Sequence, residues 1–119
     1  MLTIDALRAY GADVDDGLKR CMNNEGFYLK LVEKVAADPS FEQLKEAVEG
    51  GDLGRGFELA HALKGVSANL SLTPIETPVR EITELLRNRA ETDYGPYLDR
   101  IGEAKKKLTD ISFITIRII

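Results

Sequence analysis

The chain has a single histidine, His61, set in the run Leu59-Ala60-His61-Ala62-Leu63-Lys64-Gly65-Val66-Ser67. Stepping about 100° per residue along a helix gathers Leu53, Leu59, Ala60, Leu63, Val66, Ser67 and Leu70 on one broad stripe. His61 then falls on the opposite side, facing solvent. Its ridge neighbours on the same helix are Gly54, Phe57, Glu58, Lys64, Gly65 and Ala68. A neutral imidazole is a competent nucleophile at cellular pH. Lys64, one turn on, brings an ammonium within reach of any negative group attached to that ring. The pair therefore suits acceptance of a phosphoryl group at His61, with Lys64 offsetting its charge.

Gly65 occupies a helix interior, where glycine is about 1 kcal/mol worse than alanine. Together with Gly54 and Ala68 it leaves a smooth shelf around the imidazole, on which a second protein can come close. The candidate docking residues are Gly54, Phe57, Gly65 and Ala68. Phe57, at the edge of the apolar stripe, is either core or the apolar part of that surface. Glu58 reads as a solubility residue rather than a base.

No lysine-bearing phosphate loop, no glycine-rich nucleotide loop after a strand and no second histidine for a metal site is present. The expected role is a carrier, not an enzyme: it takes and hands on a phosphoryl group but does not draw one from ATP, and it needs no cofactor of its own. Sixteen Lys and Arg against 20 Asp and Glu give a net charge of −4, which argues against nucleic acid or anionic lipid as the main partner. The run Lys105-Lys106-Lys107 reads as a helix C-terminal cluster complementing the dipole. Cys21 alone can form no intrachain disulfide. No apolar run reaches the roughly 18 residues of a membrane span, and no basic-then-apolar leader is visible. A cytoplasmic protein is expected.

The elements that must hold His61 are helices. Within 119 residues, 44% hydrophobic and 30% charged, one domain is expected. Thr3 caps a short helix closed by Gly11, and Asp13 caps a second carrying Val14, Leu18, Cys21 and Met22. A third spans Glu25 to Ala37 with Phe27, Leu31, Val32 and Val35 on one side, and a short one spans Phe41 to Val48. Asp52 caps the His61 helix. Thr73 caps the next, with Pro74 at its first position, and the last continues to about Thr109. The fold class is all-α: an antiparallel four-helix bundle with extra short N-terminal helices, over residues 1–110. Residues 111–119 (Ile-Ser-Phe-Ile-Thr-Ile-Arg-Ile-Ile) form an apolar C-terminal tail of strand rather than helix character, expected to be frayed, loosely docked or awaiting a partner. A monomer is expected, although this tail could pair chains.

At Ala60-His61-Ala62-Leu63-Lys64-Gly65-Val66-Ser67-Ala68-Asn69-Leu70 the chain resembles the histidine-containing phosphotransfer (HPt) domain family. The family pattern is His-x-Leu-Lys-Gly-x-(Ser or Ala)-x-x-Leu-Gly, matched at His61, Leu63, Lys64, Gly65, Ser67 and Leu70. Weaker likeness extends through Asn24-Glu25-x-x-Tyr28-Leu29, Gly51-Asp52 and Leu72-Thr73-Pro74. The resemblance implies a four-helix bundle with His61 as phosphoacceptor on Nε2, exchanging the group with an aspartate of a response-regulator receiver domain or a hybrid histidine kinase. The receiver would supply Mg²⁺ and the acidic pocket. Lys64 would offset phosphoryl charge, Gly65 would clear space, and Leu63, Ser67 and Leu70 would pack inside. The usual closing glycine is Ser71 here. Many members set a polar residue on the next helix near the histidine, for which Thr83 and Glu84 are the candidates. The competing reading is a helical adaptor that binds a receiver-like partner through the same shelf without phosphotransfer.

Overall fold

Short polar side chains start most of the helices, as the sequence predicts. A computed structural model describes residues 1–113. Thr3 Oγ1 accepts from the Ala6 N–H at 3.1 Å and opens α1 (Ile4–Tyr10), which Gly11 closes with φ 110°. Asp13 caps α2 (Val14–Arg20) and Asn24 caps α3 (Glu25–Ala36). After α4 (Ser40–Glu49), Asp52 accepts from the Arg55 N–H at 3.1 Å and opens α5 (Leu53–Asn69). Each such cap satisfies a helical N–H that has no partner within the helix. Then come α6 (Thr73–Arg87) and α7 (Gly95–Phe113). Among the described residues there are seven helices and no strand, and no helix is long and apolar enough to cross a membrane.

The helices form a four-walled bundle. α5 packs on α4 and α6, α6 on α7, and α7 on both α3 and α4. One wall is thus built from α3 and α4 in succession. Pro39 separates them, because it lacks the N–H needed to carry the ladder across. α1 and α2 brace the end of the bundle. The Tyr10 hydroxyl donates to the Ala104 carbonyl at 2.8 Å, and the Asp13 N–H donates to the Ser71 carbonyl at 3.0 Å.

Four local expectations fail. Phe27 is 51% exposed, whereas its neighbour Tyr28 is fully buried; the Tyr28 hydroxyl donates to the Leu70 carbonyl at 2.8 Å, a bond that turns α3 by one position. Met22 is exposed in a left-handed turn at φ 58° rather than on an apolar stripe. Thr73 is the first residue of α6 and Leu72 its cap, since the buried Leu72 fixes the turn through its backbone, donating to Ser67 O at 2.9 Å and accepting from Glu76 N–H at 2.8 Å. Finally, α7 runs past Thr109 to Phe113, so 111–113 are helical rather than strand-like or frayed. Ser112 stays on the buried side, donating to Leu108 O at 2.7 Å, and Lys105-Lys106-Lys107 therefore sits inside a helix, not at its end. The rest of the apolar tail lies outside the described residues.

Gly17 lets α2 cross the Tyr28 ring. A Cβ there would lie 2.6 Å from the Tyr28 hydroxyl oxygen and 2.7 Å from two ring carbons, closer than packed atoms tolerate. Gly17→Ala is expected to destabilise the fold by about 1–3 kcal/mol, the range for overpacking a core, measured by urea denaturation. Burial also pushes the Tyr28 hydroxyl up to about 12. A group raised in the folded state contributes fully below its unfolded value, about 10 for tyrosine, and loses that contribution as pH climbs through the folded value. Stability should therefore hold to about pH 10 and fall toward 12. Tyr28→Phe should flatten part of that slope; Tyr10, also raised by burial, contributes in the same direction.

Candidate functional site

His61 lies near the middle of α5, whose packing leaves one side bare. Gly56, Ala60, Leu63 and Ser67 are its buried residues, while Leu53, Leu59 and Val66 are only half-buried. The core stripe is narrower than apolar spacing suggests, and glycine is the reason. A Cβ on Gly56 would stand 2.9 Å from Val48 Cγ2 of α4 and 3.6 Å from Leu86 Cδ2 of α6, so both neighbours approach the α5 backbone closely. Ser67 satisfies its buried hydroxyl within the helix, donating to Leu63 O at 2.7 Å. Leu63, Ser67 and Leu70 all pack inside, as the resemblance implies.

On the far side His61, Ala62 and Gly65 are exposed, and Lys64 is half-buried one turn from the imidazole. A Cβ on Gly65 would meet nothing within 4 Å. No backbone requirement and no neighbour calls for glycine there. Glu58 is also exposed.

The four candidate docking residues differ in exposure. Gly54 is half-buried, with an Arg89 guanidinium nitrogen 3.6 Å from where its Cβ would stand. Ala68 is half-buried in a cleft shared with Asp16, Ser71 and Arg80. Of the three small residues only Gly65 is exposed. Phe57 is half-buried against the core, and its ring stacks on the imidazole with centroids 5.6 Å apart and planes at 24°. On the same ring lie two guanidinium carbons, Arg87 at 5.0 Å and Arg89 at 5.7 Å from the centroid. Neither arginine is signalled by the sequence pattern. Arg89 turns back in a left-handed conformation, φ 49°, after α6 ends, and only this turn brings it over α5.

Neither candidate on α6 supplies a free polar neighbour for the histidine. Thr83 is fully buried and donates to Val79 O at 2.6 Å, and Glu84 pairs with Arg87 at 3.4 Å. Ser71, at the usual glycine position, adopts φ 55°, a region that favours glycine. Its hydroxyl donates to Asp16 Oδ2 at 2.5 Å, a charge-assisted bond that offsets the strain. That bond and Arg20 hold the Asp16 carboxyl below the usual carboxylate range. Among the described residues no group of three or more His, Cys, Asp and Glu side chains is gathered that could hold a metal ion.

A family model described as Hpt domain matches residues 34–112. No curated protein and no solved structure matches the chain. The match runs from the last turn of α3 to the last turn of α7, so it takes in α5 and its two main packing partners, α4 and α6.

An exposed helical glycine with open space beside it weakens the helix for no structural return. Gly65→Ala is expected to raise stability by roughly 0.5–1 kcal/mol, read as a higher denaturation midpoint with an unchanged m-value.

Proposed function

The chain belongs to the Hpt domain family, phosphocarriers of two-component signalling, and on that footing we propose that His61 carries the phosphoryl group and exchanges it with a receiver-domain aspartate. The observation that carries this reading is the exposed imidazole on α5 beside a glycine with nothing within 4 Å of its Cβ position. A partner surface can come close to the helix backbone at Gly65, one turn from the imidazole.

In the transfer, the lone pair of a ring nitrogen (Nε2 by family resemblance) forms an N–P bond. The P–O bond of the aspartyl phosphate breaks as it does so, and the carboxylate leaves with the electron pair. The return step reverses both. Mg²⁺, held by the receiver, supplies charge neutralisation at the phosphoryl oxygens. On this chain Lys64 faces the added negative charge from one turn away, and Gly65 keeps the approach clear. The chain provides the acceptor and docking surface alone, so the phosphoryl group comes from the partner and not from ATP. A cytoplasmic setting and a monomeric carrier belong to the same proposal.

The test uses a receiver domain loaded with radiolabelled phosphate from a small acyl phosphate. Wild-type protein should gain acid-labile, base-stable label. His61→Gln should gain none while keeping the fold and much of its receiver binding. Label on the His61→Gln chain would name the wrong residue, and binding without label on wild-type protein would favour the adaptor. Lys64→Ala should shorten the lifetime of the phosphorylated form with little change in unfolding free energy; an equal lifetime and equal transfer rate would remove Lys64 from the mechanism.

A further inference from the structure

The proposed transfer asks for an imidazole that is exposed and yet held in one orientation, and an exposed side chain on a helix normally samples several rotamers. His61 has no hydrogen bond among those that fix side chains elsewhere in the bundle, such as Tyr28 to Leu70 O. What touches it is the Phe57 ring, 5.6 Å away centroid to centroid and tilted 24°, within the range of offset aromatic pairs. Phe57 in turn is packed against the core and carries the Arg87 and Arg89 guanidinium groups on its ring.

Those arginines arrive by two separate devices. Arg87, in the last turn of α6, is steered by its ion pair with Glu84 one turn back. Arg89 is carried by the left-handed turn and is anchored there by donating to the Leu86 carbonyl. Its guanidinium passes 3.6 Å from where a Cβ on Gly54 would stand. The result is a cluster that joins two helices: the Phe57 ring touches the imidazole and also holds two guanidinium groups from the end of α6.

We infer that Phe57 is a positioning residue for His61, bracketed by Arg87 and Arg89 so that the imidazole is presented to the partner in one orientation. This rests on the phosphotransfer reading for its effect on rate, but not for the orientation itself. Phe57 acts through His61 and takes no part in bond making. It leaves the docking surface to Gly65 and its surroundings, so its loss should lower the transfer rate at saturating partner rather than the affinity. The arginines have a second consequence: their charge sits one ring away from the site of phosphorylation, delivered without crowding Gly65.

His61 is the only histidine, so its two imidazole carbon-bound protons give unambiguous NMR signals. In wild-type protein these should be displaced from unstructured-histidine positions by the Phe57 ring current. Phe57→Leu should return them toward those positions, and Phe57→Tyr should keep them displaced. With a phosphorylated receiver, Phe57→Leu should lower the saturated transfer rate roughly three- to tenfold, the scale of one lost aromatic pair, with KM nearly unchanged and Phe57→Tyr restoring the rate. Imidazole signals indifferent to Phe57→Leu, or a change confined to KM, would overturn the inference. Should Phe57→Leu unfold the protein, the double change Arg87→Gln and Arg89→Gln decides: freed of its bracket the Phe57 ring should drift and the imidazole signals move, and signals that stay fixed would overturn the inference. Wild-type protein that takes no phosphate would sink the proposed function while the NMR comparison still judges the role of Phe57.

Discussion

The close approach of α4 and α6 to α5 at Gly56 governs what this molecule can present. A helix held on two sides must spend its small residues where its neighbours touch it. Gly56 and Ala60 meet α4 and α6 with almost no side chain between, and Leu63 and Ser67 continue the same line into the core. The imidazole of His61 lies on the opposite, exposed side. The exposed imidazole is a by-product of how tightly the opposite face is gripped. The same helix uses glycine for opposite purposes: Gly56 because there is no room for a side chain, Gly65 although there is room for one.

Much of this was legible from residue types. Caps at Thr3, Asp13 and Asp52 start helices where short polar side chains precede apolar periodicity. His61 comes out exposed because a period of 3.6 residues separates it from the apolar stripe. The matched family segment, residues 34–112, falls on the elements whose pattern was strongest.

What escaped the sequence depends on contacts between distant segments. Phe27 and Tyr28 are adjacent aromatic residues, and periodicity could not say which would find a carbonyl forty-two positions on. Thr83 has the polarity expected of a neighbour to the histidine, yet its helix turns it into the core, where its own backbone satisfies it. Arg87 and Arg89 look like solvated charges at a helix end. Arg87 is turned by its pair with Glu84 and Arg89 by its own left-handed backbone, and nothing in their type announces either. Ser71 is the converse case: a residue that looks unsuited to its backbone is made tolerable by a carboxylate from α2.

That serine bears on where the working unit begins. Asp16, the Asp13 N–H and the Tyr28 hydroxyl all reach the link between α5 and α6, and all three precede the first residue of the family match. A chain trimmed to start at Lys34 would retain the His61 helix and α4, α6 and α7. It would also strip the left-handed serine of its counter-anion and leave the Leu70 carbonyl unanswered. The leading thirty-odd residues are therefore structural masonry for this version of the bundle, which has given up glycine at its hinge and leans on its own N-terminus instead.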